Sequence, residues 1–150
     1  MRFLMVDRIE EIVPAKEIKA SKLITGDDPF ACDPVSGEPG LWEGIAVEAL
    51  CQAGAWLIMH STEFRQRAVL LGAEQIVIHG RAVPGDVLQL HGELHSLDGQ
   101  SAVFSGKGYV NGACMLELHY MMCALIPVEE LEATEDVKRT FRLLRREISG

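Results

Sequence analysis

Apolar and polar positions mix over two short stretches near the start, residues 9–13 and 17–24, which read as two strands. Pro14-Ala15-Lys16 makes the turn between them. Over residues 26–40 the pattern dissolves: Pro29, Pro34, Pro39 and Gly37 break any helix, so the segment reads as a loop. The longest apolar run follows at residues 44–59, interrupted only by Glu48 and Gln52. It is apolar on nearly every face, so as a helix it is central and buried rather than amphipathic. Beyond a polar link the rest reads as antiparallel sheet. One strand covers 68–79, bulged at Gly72; Val83-Pro84-Gly85-Asp86 turns the chain; a second strand covers 87–95. Along that second strand Leu88, Leu90 and Leu94 face one way, and Gln89, His91, Glu93 and His95 the other. Asp98-Gly99 and Asn111-Gly112 are hairpin turns bounding strands near 101–110 and 114–126. One buried helix between a hairpin and a strand meander predicts an α+β fold, with an antiparallel sheet wrapped on the helix.

The tail has a different pattern. Val137, Phe141, Leu144 and Ile148 fall on one helical face, with acidic residues before them and arginines after, as a helix dipole favours. The expected division is therefore a domain at 1–128 and a helical extension at 129–150 that docks on the domain or on a second subunit.

Composition narrows the function. The 150 residues fit one domain, and 48% hydrophobic against 24% charged is enough for a core. Fourteen basic against 22 acidic side chains give −8, which makes nucleic acid a poor partner. No run of about 18 apolar residues predicts a membrane span. The opening residues lack the apolar stretch of a leader, and the expected setting is cytoplasmic. Cys32, Cys51, Cys114 and Cys123 form no CxxC pair and read as reduced, mostly buried thiols.

Chemistry concentrates at Glu48. A carboxylate in an apolar helix is costly unless paired, and burial would raise its pKa and leave it able to act as an acid. A buried Glu satisfied by backbone or water is the plainer alternative. Gln52 lies one turn on, placed to orient it. The helix start near Glu43 offers unpaired N–H groups that can hold a carbonyl oxygen. Asp33, in the loop, is either a second catalytic carboxylate or an ordinary turn-forming Asp before proline; Cys32 beside it reads as a packed thiol. His91-Gly92-Glu93-Leu94-His95 spreads over roughly 13 Å of strand, too wide for one metal, and reads as a solvated face. His60, His79 and His119 are read in the same way.

The order of parts resembles a known family. Phe3-Leu4-Met5-Val6-Asp7-Arg8-Ile9, Ile12-Val13-Pro14-Ala15-Lys16 and Lys22-Leu23-Ile24-Thr25 resemble the opening of the (3R)-hydroxyacyl-acyl carrier protein dehydratases of the hotdog fold, FabA/FabZ type. Glu48-Ala49-Leu50-Cys51-Gln52-Ala53 is similar to the family's helix, and Val83-Pro84-Gly85-Asp86-Val87-Leu88 to its strand entry. The resemblance covers about residues 3–127. It implies a homodimer or higher oligomer, an acyl-thioester tunnel at the subunit interface, and loss of water from a 3-hydroxyacyl thioester held by acyl carrier protein or coenzyme A. It implies no metal or organic cofactor. In the family a loop histidine takes the C2 proton and the helix carboxylate helps the hydroxyl leave; Glu48 matches that carboxylate. No histidine stands in this loop. The family spacing lands on Pro34, or on Asp33 if one residue is inserted, and the family's Met-Pro-Gly before the helix is replaced by Trp42-Glu43-Gly44.

Three expectations follow from the departure. Asp33 and Glu48 form a carboxylate pair that dehydrates, with Trp42, Gly37, Gly44 and Gln52 lining the substrate. Or the carboxylate activates water and the protein hydrolyses thioesters, as hotdog thioesterases do. Or the chain binds acyl groups without catalysis, or joins a His-bearing homologue in a hetero-oligomer. A basic patch of Arg142, Arg145 and Arg146 is the candidate surface for an acidic carrier protein.

Overall fold

The computed structural model describes residues 4–130 and 132–146. Six strands form one antiparallel sheet: β1 (Arg8–Val13), β2 (Glu17–Leu23), β3 (Gln66–Ile78), β4 (Val87–Leu97), β5 (Ser101–Val110) and β6 (Ala113–Pro127). Their spatial order is β1-β2-β4-β5-β6-β3. The central helix α1 (Glu43–Ser61) crosses the sheet, and a single turn at Val128–Glu130 leads to α2 (Thr134–Arg145). This is the α+β wrap that the alternation predicts.

The turns form where their residues demand. Asn111 and Gly112 both have φ > 0 (49° and 81°), as a tight hairpin turn requires. Asp98 accepts the Gln100 and Ser101 amides at 2.7 and 2.8 Å. The expected irregularity in β3 is present: its register against β6 slips between Leu70 and Gly72.

Inward residues of successive strands, among them Ile18, Ala20, Leu88, Leu90, Ala102, Phe104, Leu116 and Leu118, bury α1 from Ala49 to Met59. The helix lies close on the sheet because facing positions lack side chains. A Cβ on Gly54 would stand 2.3 Å from the Phe104 ring, and one on Gly106 would stand 2.8 Å from Leu50. On its other side, the C-terminal half of α1 meets α2, where Phe141 stacks on His60 (4.9 Å between ring centres) and packs on Phe64 and Trp56. Val137 and Leu144 of α2 are buried beside it; Ile148 lies outside the described residues. Enclosure from both sides is why this half of α1 is apolar all round.

The expectation of burial fails for the first third of the helix. Glu43, Gly44 and Glu48 are exposed, and Ile45, Ala46 and Val47 only partly covered. In the single chain the sheet covers only the Ala46 side of this end and leaves Glu43, Gly44 and Glu48 open. Among the described residues no helix is long and apolar enough to cross a membrane.

Candidate active site at the start of the central helix

The loop before α1 is pinned at Trp42. The Trp42 amide donates to Phe30 O (3.0 Å), its indole N–H donates to Cys32 O (2.7 Å), and its ring sits edge-on to Phe30. Leu41 N–H donates to Ala82 O, tying the loop to the segment before β4. Trp42 thus positions the start of the helix and commits its own donors. Its carbonyl accepts Ile45 N–H and Ala46 N–H. No side chain caps α1, and among the described residues the amides of Glu43 and Gly44 have no hydrogen-bond partner. Open space surrounds Gly44. These two N–H groups are free to receive a carbonyl oxygen at the positive end of the helix.

Gly44, Glu48 and Gln52 follow one another at four-residue intervals, so they share one face of α1. Gln52 is buried; its Nε2 donates to Glu48 Oε1 at 3.4 Å, and its Oε1 accepts the Met5 amide at 2.8 Å. The amide thus holds the carboxylate from the rear while the carboxylate itself faces outward. The sequence reading placed Glu48 out of water. On the single chain it is exposed.

Asp33 sits elsewhere. Its Oδ1 accepts the amides of Val35 (2.8 Å) and Ser36 (3.0 Å), and its own amide and carbonyl close the same turn with Glu38 O and Gly37 N–H. Gly37 supplies the left-handed residue of that turn (φ 73°). The Ser36 and Val35 amides, with Arg81 beside them, hold the Asp33 carboxyl below its usual range. Arg81 stands 4.0 Å from Asp33 and 4.0 Å from Glu43, bridging loop and helix. This cation was missed in sequence; the only signal was its position just ahead of the Val83-Pro84-Gly85-Asp86 turn. Glu48 lies about 140° around the helix from Glu43 at 100° per residue, so Asp33 and Glu48 of one chain address different sides. Cys32, expected to be packed, is exposed, in a loop whose two limbs pair with each other at Cys32 and Pro39.

A slot lined by Ala46, Ile78, Leu88 and Met115 and by the paired Glu43 and Arg81 opens beside the helix start, with free space of about 10 Å³, room for one water. It lies on the Ala46 face, not the Glu48 face. Burial pushes the thiols of Cys51 and Cys123 up to about 12 and about 11, so neither is a nucleophile near neutrality. His91 and His95 pack against Tyr109 and Tyr120 on the outer face of the sheet. Arg145, one of the three arginines proposed as a carrier-protein patch, donates to the carbonyls of Ile9 and Glu10.

Residues 1–119 match the family model described as FabA-like domain. The chain belongs to the FabA-like family. Among its relatives, the 3-hydroxyacyl-acyl-carrier-protein dehydratase FabZ of Caldicellulosiruptor saccharolyticus is 34% identical over 116 residues, covering 77% of this chain and 83% of that one. The enzyme of the same name from Nitratidesulfovibrio vulgaris strain DP4 is 35% identical over 118 residues, covering 77% of each. Solved structures with the same architecture include a hypothetical thioesterase with coenzyme A from Streptococcus pneumoniae (TM-score 0.62, 14% identity, 78% of this chain, 86% of that one). The E. coli PaaI protein from the phenylacetic acid degradation operon is another (TM-score 0.63, 12% identity, 78% and 81%). The fold of this FabA-like chain is the hotdog fold.

Proposed function

We propose that this FabA-like chain binds 3-hydroxyacyl thioesters at the exposed face of α1 and supplies the acid half of a dehydratase site whose base comes from a second, His-bearing chain. The carrying observation is the row formed by the free Glu43 and Gly44 amides, Glu48 and Gln52. In this reading the amides hold the thioester carbonyl and stabilise the enolate that forms when C2 loses its proton. Glu48, in its protonated form, gives its proton to the departing C3 hydroxyl. The C3–O bond breaks, C2=C3 forms, and water leaves. Asp33 is a poor base for the C2 proton: its Oδ1 is occupied by two amides and its pKa lies below the ordinary carboxylate range.

A homodimeric carboxylate-pair dehydratase is the second reading. It is favoured by Asp33 Oδ2, whose nearest cation, Arg81, stands at 4.0 Å, leaving that oxygen available to a site across an interface. The test is to incubate a 3-hydroxyacyl thioester with the pure chain and, separately, with the chain co-expressed with a His-bearing relative. Alkene formed only in the mixture, and lost with Glu48→Gln in this chain, supports the proposal. Alkene from the chain alone, lost in Asp33→Asn, favours the carboxylate pair. Free thiol without alkene would make the protein a hydrolase.

A further inference from the structure

The outer face of the sheet carries a second group of chemistry-bearing side chains that the acyl site does not use. His79 follows the end of β3, and Cys114, Glu117 and His119 lie on β6. On a regular strand Cys114 and Glu117, three residues apart, would face opposite sides. A bulge changes this: opposite Gly108 and Tyr109 the register passes from Leu116 to Cys114, leaving Met115 as an extra residue. The thiol is thereby turned to the face of the carboxylate. One ring nitrogen of His79, Cys114 Sγ and one Glu117 oxygen all lie within 4.8 Å of one another. His79 Nε2 is 2.6 Å from Glu117 Oε2, and His119 Nε2 is 3.4 Å from Glu117 Oε1.

We propose that His79, Cys114 and Glu117, with His119 beside them for a fourth position, bind one divalent first-row transition-metal ion of the zinc class. Donors in a tetrahedral zinc shell stand roughly 3.3–3.6 Å apart, given metal–ligand lengths of 2.0–2.3 Å. The three donor atoms, within 4.8 Å of one another, already stand near that spacing. An ordinary ion-pair network explains His79, His119 and Lys107 around Glu117. The Cys114 thiol has one contact of its own, donated to Leu116 O at 3.5 Å; that contact leaves the sulfur able to turn to a cation, and a mixed nitrogen, sulfur and oxygen set suits a borderline-soft one. Lys107 Nζ, 3.9 Å from Glu117 Oε1, is the occupant to be displaced, and its half-exposed side chain has solvent to swing into. The site is on the face of the sheet away from α1, and the acyl chemistry neither needs it nor tests it.

Cobalt(II) is the probe. Titrated into metal-free protein it gives a thiolate-to-cobalt charge-transfer band saturating at one ion per chain and bleached by zinc. Cys114→Ser removes the band, and His79→Ala weakens cobalt binding on the order of tenfold or more. Zinc also raises the Tm of the parent protein and leaves that of Cys114→Ser in place, which separates site loss from misfolding. Absence of the band at stoichiometric cobalt, its survival in Cys114→Ser with Cys32 as the donor, or unchanged affinity in His79→Ala overturns the proposal.

Discussion

A single carboxylate has a different part in this molecule according to what its oxygens touch. Asp33 is the turn-former that its place before Pro34 suggests: two backbone amides hold it ionised. A carboxylate whose folded pKa lies below its unfolded value of about 3.9 contributes stability that is fully present above that value. The contribution is lost as pH falls through the folded pKa. Asp33→Asn keeps the turn and loses this dependence. Its acid unfolding curve is expected to be flatter than the parent's below about pH 4, measured by fluorescence of the tryptophans; superimposable curves would remove the turn from the account. Legibility at this scale was uneven. Glu48 and Gln52 stand out because charge and amide interrupt an apolar run. The convergence of Cys114 with Glu117 was hidden, because parity along a strand reverses at a bulge that no residue there announces.

The elements themselves were largely readable, since periodicity and turn residues agree at every hairpin. What the pattern could not reveal is how tightly α1 lies on the sheet, which depends on absences. Gly54 faces Phe104, a fully buried ring with nowhere to move. Gly54→Ala gains helix propensity yet is expected to lose about 1–3 kcal/mol net from overpacking, read from urea unfolding; equal or greater stability would mean the helix sits farther away. At the other end of α1, burial, together with Arg145, holds the His60 imidazole below its ordinary 6.5. It is stacked on Phe141, with Nδ1 buried and unpartnered among the described residues. The folded state thus prefers the neutral ring, and the unfolded chain takes the proton first. Docking of α2 is therefore fully supported above about pH 6.5 and weakens as pH falls toward the folded pKa. His60→Phe should abolish this part of the dependence. Between about pH 7 and 5 its Tm should fall less than the parent's, a difference that excludes His91 because both proteins retain it.

On the scale of the whole molecule, one side of the sheet is left unfinished. Arg145 of α2 binds carbonyls of the β1 edge, but β3 is a 13-residue edge exposing Val69, Leu70, Leu71 and Ile76. A long apolar edge is a template for another chain, and the uncovered Glu48 face of α1 calls for the same cover. In the proposed function β3 is the edge at which the His-bearing chain joins. Leu71→Lys with Ile76→Lys is expected to abolish co-purification of this chain with its co-expressed His-bearing relative while helix content persists; undiminished association would place the interface elsewhere. The sequence was silent here because an edge and an interior strand share the same alternation, and only strand order tells them apart. The most direct test of the central claim is equilibrium binding of a 3-hydroxyacyl pantetheine amide, which mimics the thioester without reacting, to the assembled parent and to Glu48→Ala. The account predicts saturable binding that weakens on the order of tenfold, about 1.4 kcal/mol, when the carboxylate is removed. Binding indifferent to Glu48, or no binding to the assembled protein, would contradict it.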